Sequence, residues 1–367
     1  MGISGLGEFL KSRNVPCFFT VPLSTFHERR IAIDGQNWLY TYLYPSLKTI
    51  VLKMDDPLEP VDIEEVFSCL IRQIINFNLK FLRCEITPVW VWDGKSKKNK
   101  KQTQDERRER KRKEIEIRDN LRDSLLEMSI LERPLDVIEK YRNYLIKTTF
   151  LPKEKIDELK EFLKKMGIPT LTARDEGENL CSFLAVERIV GAIWTADTDS
   201  YAIGAPVVVK GFVKSNKFTQ IEGVFTLNIL RHFNLTHKEF RDFCIMCGTD
   251  FNQRIRGNGA KRSMDLIQKY RDIETIQKET KMDMQSLRHE EVRELLNAEP
   301  SGYLDREEEL NVDLKTCEKN LNEYKKYEDA ILELRRCIKN LPPPVKVPKN
   351  VEIEDSKKSE EFKLINS

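Results

Sequence analysis

Short apolar segments alternate with longer amphipathic segments along this chain. The short ones have the length and the aliphatic or aromatic content of buried strands: IAID ending at Asp34, PVWVWD ending at Asp93, AIWTAD ending at Asp197 and PVVVKGF from Pro206. Stretches with helical periodicity, such as IEEVFSCLIRQIINFNLKFL and IDELKEFLKKMG, separate them. Strands that alternate with helices predict an α/β fold, with a mostly parallel, twisted sheet and helices on both faces.

Changes in this pattern divide the chain further. Residues 96–147 are charged and almost free of Gly and Pro, which predicts one or two extended helices that project from the domain. From Phe240 to Tyr270, two helical stretches flank a polar turn that contains glycine, as in a helix-turn-helix pair. Charged helical sequence from about Tyr303 to Asn340 has no assigned role beyond packing on the domain. The predicted regions are 1–95, 96–147, 148–237, 238–275, 276–344 and a disordered tail at 345–367.

Charge is distributed unevenly over the 367 residues. The net charge is only +2, but residues 95–114 carry eleven Lys and Arg against four acidic residues, a local charge of +7 that leaves −5 for the remainder. A polyanion would therefore be drawn to one part of the surface. No apolar run approaches the roughly 18 residues needed to cross a bilayer, and the N-terminus lacks a signal-peptide pattern, so we expect no membrane association.

The eight cysteines are scattered, and only Cys244 and Cys247 form a C-x-x-C pair. Since no second pair and no nearby His accompany them, buried helical thiols are a better interpretation than a zinc site. Free thiols are typical of a reducing compartment, and we expect the protein in the nucleus or the cytoplasm.

Acidic residues follow the predicted strands and recur in close pairs. Taken singly, an Asp after a strand is commonly a helix cap or a turn former. Several carboxylates that converged on one rim of a sheet would repel each other unless cations compensated them. Oxygen ligands suit Mg²⁺ or Mn²⁺, and two such ions support phosphodiester hydrolysis, although this chemistry names no substrate. The seven candidate ligands are Asp34, Asp93, Glu176, Glu178, Asp197, Asp199 and Asp250.

Five sequence blocks resemble those of the FEN/XPG family of structure-specific 5′ nucleases. After an opening MGISGL, they are IAIDGQNWLY, VWVWDGK, MGIPTLTARDEGENLCSFL, TADTDSYAIGAPVVV and FCIMCGTDFNQRIRGNGAKRSMDLI, in this order. The resemblance runs from Met1 to about Tyr270. It implies a PIN-like nuclease core at 1–95 and 148–237, a basic helical arch at 96–147, a helix-two-turn-helix DNA-binding element at 238–275 and a C-terminal helical extension at 276–344.

The resemblance implies roles for the acidic residues and for two basic ones. Asp34, Asp93, Glu176 and Glu178 would group toward one metal, and Asp197, Asp199 and Asp250 toward a second. Lys100 and Arg107 would stabilise the scissile phosphate from the base of the arch. They stand seven residues apart, about two helical turns, and so face the same way. From composition alone, they are two more solvated charges.

The resemblance also implies contacts to DNA. Gly2 would lie close to the active site, and Tyr40 would stack on a base, although a tyrosine in the core is an alternative. The basic arch would clamp or thread a single strand, with Arg110 and Lys111 among its contacts. The turn that would hold duplex phosphates, together with a K⁺ ion, contributes Arg256, Gly257, Gly259, Lys261 and Arg262.

Two segments depart from the family pattern. Residues 44–61 differ from the usual wedge that recognises a branch point, and the tail EEFKLINS lacks the motif by which cellular flap endonucleases dock on the sliding clamp. We therefore predict no sliding-clamp partner, and we expect a monomer. Such a divergent member could come from a large DNA virus, in which case it would act in the host nucleus or at the viral replication site.

The preferred hypothesis is a 5′ flap endonuclease and 5′–3′ exonuclease. It would cut branched DNA by a two-metal mechanism in replication, repair or recombination. One alternative is an RNA endonuclease of the same family with the same metal site. Another is a DNA-binding scaffold without catalytic activity.

Overall fold

The computed structural model of the chain describes residues 2–94, 101–214, 219–297, 310–320, 324 and 326–345, with the backbone but not the side chains of 101–107. The strands are β1 Phe18–Pro22, β2 Arg30–Asp34, β3 Thr87–Trp92, β4 Thr170–Thr172, β5 Ala192–Trp194, β6 Val207–Val213 and β7 Gln220–Phe225. The helices are α1 Leu6–Ser12, α2 Gly35–Val51, α3 Ile63–Leu82, α4 Lys101–Leu126, α5 Leu135–Thr148, α6 Lys153–Lys165, α7 Gly177–Val186, α8 Asp199–Ile203, α9 Thr226–Phe233, α10 His237–Cys247, α11 Ala260–Tyr270, α12 Ile273–Thr280, α13 His289–Leu295, α14 Leu314–Asn320 and α15 Glu328–Lys339.

The strands form one seven-stranded sheet in the order β1-β7-β6-β5-β2-β3-β4. The five strands from β6 to β4 pair in parallel, whereas β7 pairs antiparallel with both β6 and β1. The predicted α/β fold with a mostly parallel sheet is therefore confirmed. One predicted strand is too long: β5 ends at Trp194, and Asp197 lies in the turn that follows.

Each face of the sheet packs against its own apolar core. Successive side chains of a strand point to opposite faces, so Ala32 of β2 joins one core while its neighbours Ile31 and Ile33 join the other. We call the first the α7-side core; it also contains residues of α1, α7, α10 and α11. The second is the α3-side core, which includes the stacked Trp90 and Trp92 and residues of α2, α3, α5 and α6. Helices thus cover both faces, as predicted.

The charged segment after β3 forms the two helices α4 and α5 in the described residues. The expectation that the segment projects from the domain is wrong for its second half. Leu125 of α4 and Tyr141 of α5 are buried in the α3-side core, and the guanidinium of Arg142 donates to the carbonyl of Met54 at 3.0 Å. A few apolar positions at helical spacing are enough to attach this otherwise polar pair to the sheet.

The C-terminal helices pack on the α3 side of the domain. Ile331 and Leu334 of α15 and Cys317 of α14 are buried in the α3-side core. Val345, at the start of the predicted tail, donates its backbone N–H to the carbonyl of Glu28 at 2.7 Å. The tail from 346 onward lies outside the described residues. In the described part of the chain, no helix is long and apolar enough to cross a membrane.

Candidate metal centre and nucleic-acid interface

Asp34 closes β2 and begins α2, at the carboxyl end of the parallel strands. Its Oδ1 accepts the backbone N–H of Asn37 at 3.0 Å, which caps α2. Its Oδ2 accepts the hydroxyl of Thr195, which follows β5, at 3.0 Å. The side chain is therefore held between two neighbouring strands at the rim, where ligands bind in parallel sheets.

The electrostatic surroundings of Asp34 show that other acids are close. Burial, with smaller contributions from the charges of Asp93 and Asp197, raises the pKa of Asp34 to about 7, although the hydrogen bonds from Asn37 and Thr195 oppose this rise. A carboxylate that is disfavoured by burial and by like charges gains from a cation beside it. The rim is thus suited to positive ligands.

Asp93 follows β3 and contacts the first turn of α7. Its Oδ1 accepts the N–H of Gly177 at 2.7 Å, so the carboxylate lies at the positive end of this ten-residue helix. The next residue, Gly94, donates to the carbonyl of Asp175 at 2.7 Å, and a Cβ there would lie 2.0 Å from the carbonyl oxygen of Ala173. Only glycine fits this close approach, which brings β3 and the α7 acids together.

Three carboxylates converge on a single point. One oxygen each of Glu178, Asp197 and Asp199 lies within 4.8 Å of the others. Asp199 is 3% exposed, and its backbone N–H donates to Oδ1 of Asp197 at 3.3 Å. Donors of this kind are all hard oxygens, and such a set fits Mg²⁺ or Mn²⁺.

The N-terminal residues pack against this acidic turn. The N–H of Ile3 donates to Oγ1 of Thr198 at 2.8 Å, and that of Ser4 donates to the carbonyl of Gly248 at 3.0 Å. A Cβ on Gly2 would lie 2.2 Å from Oδ1 of Asp197. Gly2 therefore contacts the candidate metal centre directly, and its φ of +95° also favours glycine.

The structure connects the seven candidate ligands to different degrees. Contacts or electrostatic coupling link Asp34, Asp93, Glu178, Asp197 and Asp199. Glu176 is the residue before Gly177, and Asp250 lies two residues beyond Gly248, which Ser4 contacts. Glu176 and Asp250 are therefore near the centre in sequence, through neighbours that contact it. All seven ligand roles stay predictions.

The residues chosen in the arch are described unevenly. Lys100 lies outside the described residues, and Arg107 is in α4 without a described side chain. Arg110 is exposed. The Lys111 ammonium contacts the carbonyl of Lys147 and lies 3.9 Å from the ring centroid of Phe150, so it is engaged within the protein.

The exposure of Tyr40 and the burial of Cys244 and Cys247 bear on two alternatives that the sequence left open. Tyr40 is 53% exposed on α2, whereas Trp38 is fully buried. The alternative of a core tyrosine is wrong, and Tyr40 is accessible to a ligand. Cys244 and Cys247 are both buried in α10, as predicted for helical thiols.

The predicted helix-two-turn-helix element corresponds to α10, the turn that follows it and α11. Thr236 and Glu239 form a reciprocal capping box that begins α10. Gly257 has φ +78°, Gly259 caps α11, and a Cβ at either would meet open space. Their backbone is thus open to a ligand, and Arg256, Lys261 and Arg262 beside them are exposed.

Sequence reasoning missed the side chains that position the acids. Thr195 and Thr198 stand within the TADTD block, and Asn37 accepts the N–H of Ala196 at 3.1 Å through its side-chain oxygen. Hydroxyl groups that alternate with acids were the available signal. Their partners depend on which strands are neighbours, which the pattern alone did not reveal.

Comparisons with known proteins agree with this geometry. The XPG N-terminal domain family matches residues 1–114 and the XPG I-region family matches residues 167–250, together more than half of the chain. Flap endonuclease 1 of Bos taurus is 30% identical over 277 residues, which cover 75% of this chain and 68% of that protein. Flap endonuclease 1 of Cryptosporidium muris is 29% identical over 286 residues, 75% of this chain but only 57% of that protein.

Solved structures show the same architecture. The flap endonuclease-1 of Methanococcus jannaschii is 22% identical, with a TM-score of 0.58 over 89% of this chain and 97% of that one. At this identity the likeness establishes the fold. The two matching family domains show that the chain belongs to the FEN/XPG family of nucleases.

Proposed function

We propose that this protein is a metal-dependent, structure-specific 5′ flap endonuclease with 5′–3′ exonuclease activity on branched DNA. The observation that carries the proposal is the convergence of Glu178, Asp197 and Asp199 within 4.8 Å, on the rim that also holds Asp34 and Asp93. Two of its relatives are named flap endonucleases, which supports the substrate.

The metal ligands would fall into two groups. Asp34, Asp93, Glu176 and Glu178 would hold one divalent ion, and Asp197, Asp199 and Asp250 the other. The ions, Mg²⁺ or Mn²⁺, would supply charge neutralisation at the phosphate and a more acidic water. A monovalent K⁺ at the turn before α11 is a separate part of the proposal.

The protein's own residues would orient the acids and the substrate. Thr195 and the N–H of Gly177 hold Asp34 and Asp93 in fixed directions. Lys100 and Arg107 would offset phosphate charge from the arch, and the exposed Tyr40 would stack on a base. The open backbone of Gly257 and Gly259, with the neighbouring basic side chains, would hold duplex phosphates away from the cut.

Product mapping tests this function. The protein would be incubated with Mg²⁺ and end-labelled 5′-flap, nicked, bubble and four-way-junction DNA, and with single-stranded RNA. We expect cleavage near the flap base that leaves a 5′-phosphate. Cleavage of RNA alone would move the substrate to RNA, and DNA binding without any cleavage would indicate the scaffold. Either result would overturn the proposal.

A further inference from the structure

A cluster of basic and aromatic residues lies beside the acidic rim. The ammonium groups of Lys11 and Lys210 lie 6.0 Å and 5.3 Å from the ring centroid of Phe18. Phe18 is 38% exposed and Lys11 is exposed at the end of α1. One partly exposed ring thus lies beside an exposed cation, Lys11, and a half-buried one, Lys210.

Lys210 lies in the same row of the sheet as Asp34. Val209 of β6 pairs with Trp194 of β5, and Trp194 pairs with Ile33 of β2. Lys210 follows Val209 and Asp34 follows Ile33, so the two residues lie at the same level of the sheet, with β5 between their strands. Neighbouring strands are roughly 4.8 Å apart, which places the two backbones about 10 Å from each other.

The Lys210 side chain points to the side of the sheet that carries the acids. Its ammonium lies 5.8 Å from the ring of Tyr201, which belongs to the α7-side core and follows Asp199 in α8. The pairing of β6 with β7 shifts register between Val209 and Gly211, which places Lys210 in a bulge. Bulges near active sites commonly redirect a side chain.

The two ammonium groups are close enough to influence each other. Burial lowers the pKa of Lys210, and the charge of Lys11 also lowers it, whereas Cys17 and Glu222 raise it. Two cations beside the Glu222 carboxylate leave a net positive charge among these three groups, and this charge would favour an anion.

The cluster also lies beside the helix-two-turn-helix element. Arg13, two residues after Lys11, is 4.0 Å from Asp265 of α11. The first turn of α11 carries Lys261 and Arg262. The end of α1 that carries Lys11 thus contacts that element, while Lys210 lies two strands from Asp34 of the acidic rim.

We propose that Lys11 and Lys210, held together by Phe18, bind the phosphate backbone of duplex DNA between the metal centre and the helix-two-turn-helix element. This inference rests on the proposed function. The lysines are positioning residues that neutralise phosphates, and Phe18 fixes the distance between them. Each phosphate contact adds about 0.9 to the slope of log Kd against log salt concentration.

The test measures binding of nicked duplex DNA over a salt series in an Asp199→Asn background. The Lys11→Ala/Lys210→Ala variant should bind about tenfold more weakly, with a salt slope lower by about two. The Lys11→Arg/Lys210→Arg variant should keep the slope. Lys80→Ala is the matched control, since Lys80 lies 4.2 Å from the ring of Phe212 on the α3 side of the sheet. It should change neither quantity.

An unchanged Kd and slope in the double alanine variant would overturn the inference, as would an equal effect of Lys80→Ala. The assay needs no cleavage, so it separates this inference from the function. If the double alanine variant has a lower salt slope but the wild-type protein does not cut flap DNA, the inference stands and the proposed nuclease function is rejected. If the wild-type protein cuts flap DNA but the double alanine variant keeps the wild-type salt slope, the nuclease function stands and the inference is rejected.

Discussion

The Thr195 hydroxyl donates a 3.0 Å hydrogen bond to Oδ2 of Asp34, and both residues are buried. The same Thr195 oxygen accepts the N–H of Asp197 at 3.1 Å. One hydroxyl thus connects an acid from each of the two candidate metal groups. Its position depends on the parallel pairing of β2 with β5.

We expect Thr195→Val to weaken metal-dependent cleavage. A hydrogen bond to a charged group contributes about 1.5–3 kcal/mol, so its loss should lower kcat/KM for a flap substrate by roughly 10- to 100-fold. Saturating Mg²⁺ should recover part of this loss. Thr195→Ser keeps the hydroxyl and should stay near wild type. A defect in Thr195→Ser as large as that in Thr195→Val would contradict the prediction, since the hydroxyl would then not be sufficient for activity.

Asp34 predicts a pH dependence of the metal-free protein. Its pKa rises from 3.8 to about 7 on folding, mainly because of burial. Its contribution to stability is therefore complete below pH 3.8 and is lost as the pH rises through about 7. Mg²⁺ binds the charged form, so the rise in Tm on adding Mg²⁺ should be larger at pH 8 than at pH 6. In Asp34→Asn this difference should shrink, and an unaltered difference would contradict the assignment.

Much of this site could be predicted because several acids gathered at strand ends require a cation to offset their repulsion. Asp34 and Asp93 close or follow continuous apolar strands, and parallel strands must meet at one rim. Lys210 could not be predicted, because its proximity to Asp34 depends on the register of β6 and on a bulge. Periodicity carries no information about either.

In the fold, too, some elements could be predicted from the sequence and others could not. The strands β2, β3, β5 and β6 were recognised by their apolar sequence. In contrast, β4 has three residues of which only Leu171 is buried, and β1 lies at an edge of the sheet, where burial is incomplete. The arch was expected to project, yet buried positions such as Tyr141 attach α5 to the α3-side core. A few apolar residues in a charged helix do not reveal what they contact.

Removal of one candidate ligand should separate cleavage from binding. Asp199→Asn keeps the size of the side chain but removes its charge, and several kcal/mol of metal-assisted catalysis correspond to a loss of roughly 100-fold or more. Binding of flap DNA in the presence of Ca²⁺ should persist. The control is Asp157→Asn, which changes an exposed acid paired with Lys160 on α6. Undiminished cleavage by Asp199→Asn would reject the metal assignment.

Gly2→Ala should disturb the candidate metal centre because the new methyl group would overlap with Asp197. The new Cβ would lie 2.2 Å from Oδ1 of Asp197, and the φ of +95° is unfavourable for alanine. We expect a loss in kcat of about tenfold or more with little change in Tm, because the segment must move away from the acid. Gly7→Ala has no atom within 4 Å of the new Cβ and should leave kcat unchanged. Similar activity of both variants would show that Gly2 tolerates a side chain.

Ion pairs join α10, the first helix of the predicted helix-two-turn-helix element, to the helices that follow that element. Arg293 of α13 donates to both carboxylate oxygens of the fully buried Asp242 of α10, at 2.6 Å and 2.5 Å, and also pairs with Glu274 of α12. Removing one partner of a buried pair leaves the other charge uncompensated, so Arg293→Gln should lower the free energy of unfolding by about 3–5 kcal/mol.

The pairing with Arg293 lowers the pKa of Glu274 to about 2 from its ordinary 4.5, so its contribution is present above pH 4.5 and is lost as the pH falls toward 2. Urea unfolding at pH 7 and pH 3 measures the loss of stability in Arg293→Gln and its pH dependence. Between these two pH values, the free energy of unfolding should change less in Arg293→Gln than in the wild type. Arg335→Gln breaks a largely exposed pair with Glu318 and should cost less than about 1 kcal/mol. Equal losses in the two variants would show that the buried pair contributes no more than a surface one.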